Sequence, residues 1–269
     1  MKTQTFRYIL LGLVVLPLSF GLVSCENSKE TEATSPASPQ TEVSPAATEA
    51  AANLSEIQNQ PVWVKSTDTE EVTGKEGMDL EVGETIRTEG EALAEVDLKN
   101  GLAFRIGGDA VLTLEPENQL NLTSGEMITW VEPGQKVPAE IVTPGGVAGI
   151  RGTTVFVKIP DDPNEGIVFF SWEGTVAVRL PNQTEEILLE SGEEVLVAKG
   201  ETDLEKIRNS VRQLSQEEWS QRRQKSRLLN QFAKPIPTEE EIEKAETKMS
   251  DKESGEKDSN TNPDNTSEE

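Results

Sequence analysis

The sequence predicts a mainly β protein, in which a single all-β domain of short strands forms a twisted roll or sandwich and α-helices follow it. Three observations carry this. Ala94, Val96 and Leu98 alternate with polar Glu95 and Asp97, the period-2 pattern of a half-buried strand. Asn100-Gly101 then stands between that run and the next, and Asn-Gly is the strongest short hairpin signal. Finally, the form Leu-x-x-Gly-Glu-x-(Ile/Val) recurs at Leu80–Ile86, Leu122–Ile128 and Leu189–Val195. Each copy reads as a strand end, a turn whose glycine takes positive φ, and a returning strand.

The elements follow in order. Lys2 and Arg7 precede an apolar stretch from Ile9 to Val23, broken by Pro17 and Gly21. It is shorter than the ~20 residues a helix needs to span a bilayer, and residues 1–24 read as a secretory signal peptide. The only cysteine, Cys25, closes Leu22-Val23-Ser24-Cys25. That junction resembles the lipobox of bacterial lipoproteins, which implies cleavage after Ser24, diacylation of the Cys25 thiol and acylation of the new N-terminus. Several acyl chains anchor a domain durably, at about 0.8 kcal/mol per buried CH₂. The mature chain is then expected in the cell envelope, facing the periplasm or the cell exterior, with no internal disulfide.

Residues 25–60 hold Ser, Thr, Pro, Ala and Glu with almost no large apolar residue, and read as a disordered tether. Residues 61–201 have the length of one ordinary domain. Within it, 102–106 and 110–114 read as strands separated by a turn at Gly107-Gly108-Asp109. Ile167–Trp172 and Thr175–Leu180 flank Glu173-Gly174 as a second hairpin. Residues 202–234 change period: Leu204, Ile207, Val211 and Leu214 recur at helical spacing. Ser215 to Glu218 forms a capping box that opens a second helix, stopped by Pro235 and Pro237. Residues 235–269 read as an acidic disordered tail, with a short helix start at Thr238-Glu239-Glu240-Glu241.

Composition excludes whole classes of function. The chain has 25 basic and 49 acidic side chains and no histidine, for a formal charge of −24. That sign opposes nucleic acid and anionic lipid surfaces. Without histidine the commonest general base and imidazole ligand are missing, and the single cysteine is assigned to lipid. No enzyme, cofactor or metal is expected. The exception to the acidity is 202–234, with eight basic and four acidic residues.

Four motifs need weighing. The glycines of Gly145 to Gly152 lead into β-branched Thr153-Thr154-Val155 rather than a helix, so the loop is structural and not a phosphate cradle. The three glutamates of the recurring form offer a cation site, or simply turn chemistry. Asp161-Asp162-Pro163-Asn164-Glu165 offers hard oxygens for Ca²⁺, or a solvated loop. Trp219, Arg222, Arg223 and Arg227 lie on the second helix. They either pair with the acidic β domain while the helix covers an open sheet edge, or bind an anionic polymer or partner protein.

Ile141-Val142-Thr143-Pro144, followed by Gly149-Ile150-Arg151-Gly152-Thr153-Thr154-Val155, closely resembles the signature of the FecR domain. Gly83 to Thr88, Ala94 to Leu98 and Ser191-Gly192-Glu193 fit the same order over roughly residues 62–200, in the manner of cyanobacterial members. The resemblance implies an extracytoplasmic β module in which Thr143, Pro144, Arg151, Gly152 and Thr153 have structural roles. For Arg151 the structural role is to hydrogen-bond carbonyls or pair with an acidic neighbour, and the alternative is to anchor an anionic ligand. The founding members are single-span regulators of iron uptake that act on a sigma factor, and no cytoplasmic segment is read here. The expectation is therefore a lipid-anchored binding or sensing module that meets another envelope protein or a glycan and makes no direct sigma-factor contact. The alternative is a passive envelope lipoprotein that tethers or organises other components.

Overall fold

A computed structural model describes residues 51–162 and 164–258. The signal peptide, Cys25 and most of the tether lie outside the described residues. The first half of the fold comprises β1 (Ala52–Gln58), β2 (Val62–Lys65), β3 (Val72–Thr73), β4 (Met78–Leu80), β5 (Thr85–Thr88), β6 (Leu93–Leu98), β7 (Leu102–Glu115) and β8 (Gln119–Val131). The second half adds β9 (Ala139–Thr143), β10 (Gly146–Ile150), β11 (Thr154–Ile159), β12 (Ile167–Glu173), β13 (Val176–Arg179), β14 (Glu186–Leu189) and β15 (Glu193–Val197). Then come α1 (Leu204–Arg208), β16 (Arg212–Gln213), α2 (Gln216–Lys225), α3 (Arg227–Asn230) and α4 (Glu239–Asp258). No helix among the described residues is long and apolar enough to cross a membrane.

The long hairpin β7–β8 is the spine. It bends midway, where Gly107–Val111 breaks register against β8. Gly125 sits opposite with φ of 79°, and a Cβ there would lie 2.4 Å from the Ala110 Cα, so only glycine fits. On one side of the bend the spine is flanked by β6 and β11, on the other by β5 and β9. From these, one arm extends through β1 and β4, and through β12, β15 and β16. The other extends through β2 and β3, and through β10, β13 and β14. All pairs are antiparallel except β8–β9.

Both arms contribute to one core, including Leu54, Val64, Ile86, Phe104, Ile141, Val157, Phe169 and Val178. Period 2 then places the alternate residues of the first arm on its outer face: Ala103 and Arg105 on β7, Ile128 and Trp130 on β8, Phe170 and Trp172 on β12. The C-terminal segment covers that face with Leu214, Trp219, Leu228, Leu229, Phe232, Ile236 and Ile242. Each fully buried side chain of this size contributes roughly 1.5–3 kcal/mol.

The mainly β domain followed by C-terminal helices is as expected, and several local assignments differ. Gly107-Gly108-Asp109 is a bulge inside one strand, not a turn between two. The strands around Gly174 are not a hairpin: β12 pairs with β11 and β15, and β13 with β10 and β14. Ala52–Gln58, read as tether, is a strand held between β4 and β6, with Ala52 and Leu54 buried. The helix expected over 204–214 stops at Arg208, because Arg212-Gln213 pairs with β15 and caps its edge. The next helix breaks at Ser226, whose hydroxyl accepts the Leu229 N–H and starts α3. Glu239–Asp258, read as disordered tail, is a helix anchored by fully buried Ile242.

Candidate functional site

The capping box at the start of α2 forms as expected. The Ser215 hydroxyl accepts the Glu218 N–H at 3.3 Å, and Glu218 accepts the Ser215 N–H at 2.9 Å. That backbone bond, then Arg212 and the Ser215 hydroxyl, hold the Glu218 carboxyl down to about 2. Trp219, one turn in, is fully buried and meets Phe170 and Trp172 edge-on, with centroids 5.8 and 5.9 Å away. As a partner contact it is therefore corrected: it is core.

The three arginines of that set are spent inside the molecule. Arg222 pairs with Glu194 at 2.5 Å and lies 4.4 Å over the Phe170 ring. Arg223 reaches Glu239 at 2.7 Å, Glu243 at 2.6 Å and Glu246 at 3.1 Å, fastening α4 to α2. Burial pulls the Arg223 pKa down, and its three carboxylate partners outweigh that and raise it. Arg227 pairs with Glu91 at 3.0 Å and donates to its carbonyl at 2.6 Å. The helices cover a sheet face, and β16 covers the edge at β15.

One residue absent from the expected set holds this arrangement together. Arg105 is 1% exposed. It pairs with Glu95 at 2.5 Å and donates to the carbonyls of Leu228 at 2.9 Å and Lys234 at 2.7 Å. Its guanidinium also stacks 4.1 Å from the Phe232 ring centroid. Burial pushes the Glu95 carboxyl up, against the opposing pull of Arg105. The signal was present in sequence, since a lone arginine within Leu102-Ala103-Phe104-Arg105-Ile106 must find partners if buried.

The signature residues are placed as turn chemistry. The Thr143 hydroxyl donates to the Gly146 carbonyl at 2.7 Å and accepts the Gly146 N–H at 3.1 Å, closing the β9–β10 turn over Pro144. Gly152 has φ of 82° in the β10–β11 connection, and Thr153 is buried. Arg151 is exposed, with no hydrogen bond or ion pair among the described residues, so the carbonyl-binding or acid-pairing role expected of it is corrected. Pro144 and Gly145, with Ile159, Ile167 and Val197, line a cleft of about 420 Å³.

The recurring glutamates do not converge. Glu84 accepts the Glu81 N–H at 3.0 Å and Glu193 the Glu190 N–H at 2.8 Å, each bracing its own glycine turn. Among the described residues, no group of three or more His, Cys, Asp or Glu is placed to hold a metal ion.

A groove of about 560 Å³ runs between the outer sheet face and α2. Phe156, Val168 and Trp172 form its floor, and Lys158, Arg212, Arg222, Lys225 and Arg227 its cationic walls, with Glu126 and Glu218 between them. Lys158 and Lys225 are exposed and carry no ion pair among the described residues. Trp172 Nε1 and Arg222 Nη1 are buried without an acceptor there. Such unmatched donors cost roughly 1–3 kcal/mol each. Arg222 and Arg227 thus meet in one groove, while Arg223 faces α4 and Trp219 the core.

A family model described as FecR protein matches residues 84–177. The chain carries a FecR-domain region. It spans β5 to β13, and so includes the spine, the Thr-Pro turn and the groove floor. Such a region is regulatory rather than catalytic. A comparison with curated proteins finds no match. Two solved structures of a "putative anti-sigma factor" from Parabacteroides distasonis are similar at 18% identity and a TM-score of 0.37. The likeness covers 44% of this chain and 57% and 56% of those chains. It corrects the expectation of no direct sigma-factor contact, and that exclusion is withdrawn.

Proposed function

We propose that this protein is a lipid-anchored, extracytoplasmic, non-enzymatic binding or sensing module, held to the membrane through acylated Cys25. The FecR-domain region over residues 84–177 is the observation that carries the reading. The lipobox-like Leu22-Val23-Ser24-Cys25 supports the anchor, and the division into signal peptide, tether, β domain and C-terminal helices supports display away from the membrane. Thr143, Pro144, Gly152 and Thr153 serve the β9–β11 turns, and recognition falls to the surface built on them.

A second reading, a passive envelope component, is favoured by the internal ion pairs of Arg222, Arg223 and Arg227. In-cell crosslinking of the intact protein beside Cys25→Ala separates the two. One dominant partner, lost or changed when Cys25→Ala releases the chain from the membrane fraction, is the expected result. Unspecific neighbours that are the same for both chains would overturn the module and leave the passive component.

A further inference from the structure

Resting on the module reading, we infer that the groove between β11, β12 and α2 binds a short acidic peptide segment, in which carboxylates flank an apolar side chain. Its two sides carry matched features. Lys158 on β11 and Lys225 at the end of α2 are exposed, and neither has an ion pair among the described residues. The neighbouring arginines are neutralised: Arg212 by Glu194 and Glu218, Arg222 by Glu194, Arg227 by Glu91. The two lysines outnumber the one unmatched carboxylate there, Glu126, which stands opposite Lys158 across β8 and β11, and so leave the groove net positive in a chain of −24.

Between the lysines, Phe156 and Val168 present partly exposed apolar surface. In the floor beside them, Trp172 is 1% exposed and its Nε1 finds no acceptor, and Arg222 Nη1 in the wall shares that lack. Apart from Glu126, the exposed unmatched charges in this place are the cations Lys158 and Lys225, so the complementary ligand brings acceptors and negative charge. Glu126 and Glu218 stand in the same groove, and Glu218 is matched by Arg212 and Ser215. Glu126 fixes where an acidic ligand cannot place a carboxylate. A long polyanion would run out of the groove onto an acidic surface and be repelled, whereas a short segment ends within it. The apolar floor separates a peptide with apolar residues from a uniformly polar anion.

Fluorescence anisotropy with the full chain in detergent tests this. The probes are a fluorescein-labelled peptide alternating glutamate and leucine, its glutamine counterpart, and an oligogalacturonate. Saturable, salt-weakened binding of the glutamate peptide alone is expected. Lys158→Glu with Lys225→Glu should weaken it roughly tenfold or more, with a small drop in the urea midpoint because Lys158→Glu sets a like charge opposite Glu126, a drop that the glutamine variants avoid. Lys158→Gln with Lys225→Gln should weaken it by less. Equal binding of the glutamate and glutamine peptides, preference for the oligogalacturonate, no binding at all, or full affinity in the double variants would overturn the inference. A peptide that fails to bind while cells yield one dominant crosslinked partner removes this assignment and leaves the module reading. Peptide binding without any crosslinked partner removes the module reading instead.

Discussion

Arg105 points out of β7 beside Ala103, on the face that the helices cover, and its guanidinium spans Glu95 and the carbonyls of Leu228 and Lys234. Arg105→Ala leaves Glu95 half-buried without its cation and those carbonyls without a donor. The expected loss is about 3–5 kcal/mol, measured by urea unfolding. Arg105→Met with Glu95→Gln leaves no stranded charge and should recover part of it. Glu173 gives the opposite sign. Burial, reinforced by Glu241, raises its carboxyl above the ordinary 4.5, although Thr154 donates to it at 2.9 Å. A carboxyl raised in the folded state binds more protons folded than unfolded, so stability falls as pH rises from the ordinary value through the raised one. Glu173→Gln should therefore raise the urea midpoint at pH 7, with the gain fading as pH falls through the raised value toward 4.5 and gone below it. A constant gain across that range would show that the carboxylate charge is not the cause.

Local chemistry was legible in the elements, and pairing at a distance was not. Asn100-Gly101 joins β6 to β7 as read, and Ser215 with Glu218 caps α2, because both signals are contained in a few residues. Gly107-Gly108-Asp109 carries the same glycine signal as a turn, yet the strand continues, because β8 supplies Gly125 as a close neighbour from far along the chain. Strand choice around Gly174 likewise depends on β10 and β15, which take up β13 and β12, while β13 and β12 also pair with their other chain neighbours, β14 and β11. Gly192 shows how a turn supports the helices. With φ of 83°, a Cβ there would meet Trp219 at 2.3 Å and the Met249 sulfur at 2.6 Å. Gly192→Ala should cost roughly 1–3 kcal/mol, through both the left-handed backbone and overpacking. Unchanged thermal unfolding would mean that α2 and α4 do not press on this turn.

Over the whole molecule, the basic segment and the helix after it complete a second core rather than standing free on the β domain. The sequence marked 202–234 as different through its charge, but charge alone does not say whether cations face inward or outward. Buried Trp219, Leu228 and Ile242, together with the glutamates that receive Arg222, Arg223 and Arg227, decide it. Lys158, Lys225 and Phe156 escaped the sequence reading because the groove exists only once α2 lies over β11 and β12. A chain ending at Glu201 should expose Trp130 and Trp172, with a red-shifted tryptophan emission and increased dye binding. If its emission matched that of the full chain, the helices would not be the cover of that face.

The docking of these helices carries both the fold and the groove, and hydrogen exchange of the full chain measures it directly. Amides of Trp219, Asn230 and Ile242, each bonded to a backbone carbonyl, should be protected to nearly the degree of Ile128 and Trp130 in β8, and Arg105→Ala should lower that protection in the helices first. Fast exchange throughout 214–242, with β8 still protected, would contradict the account.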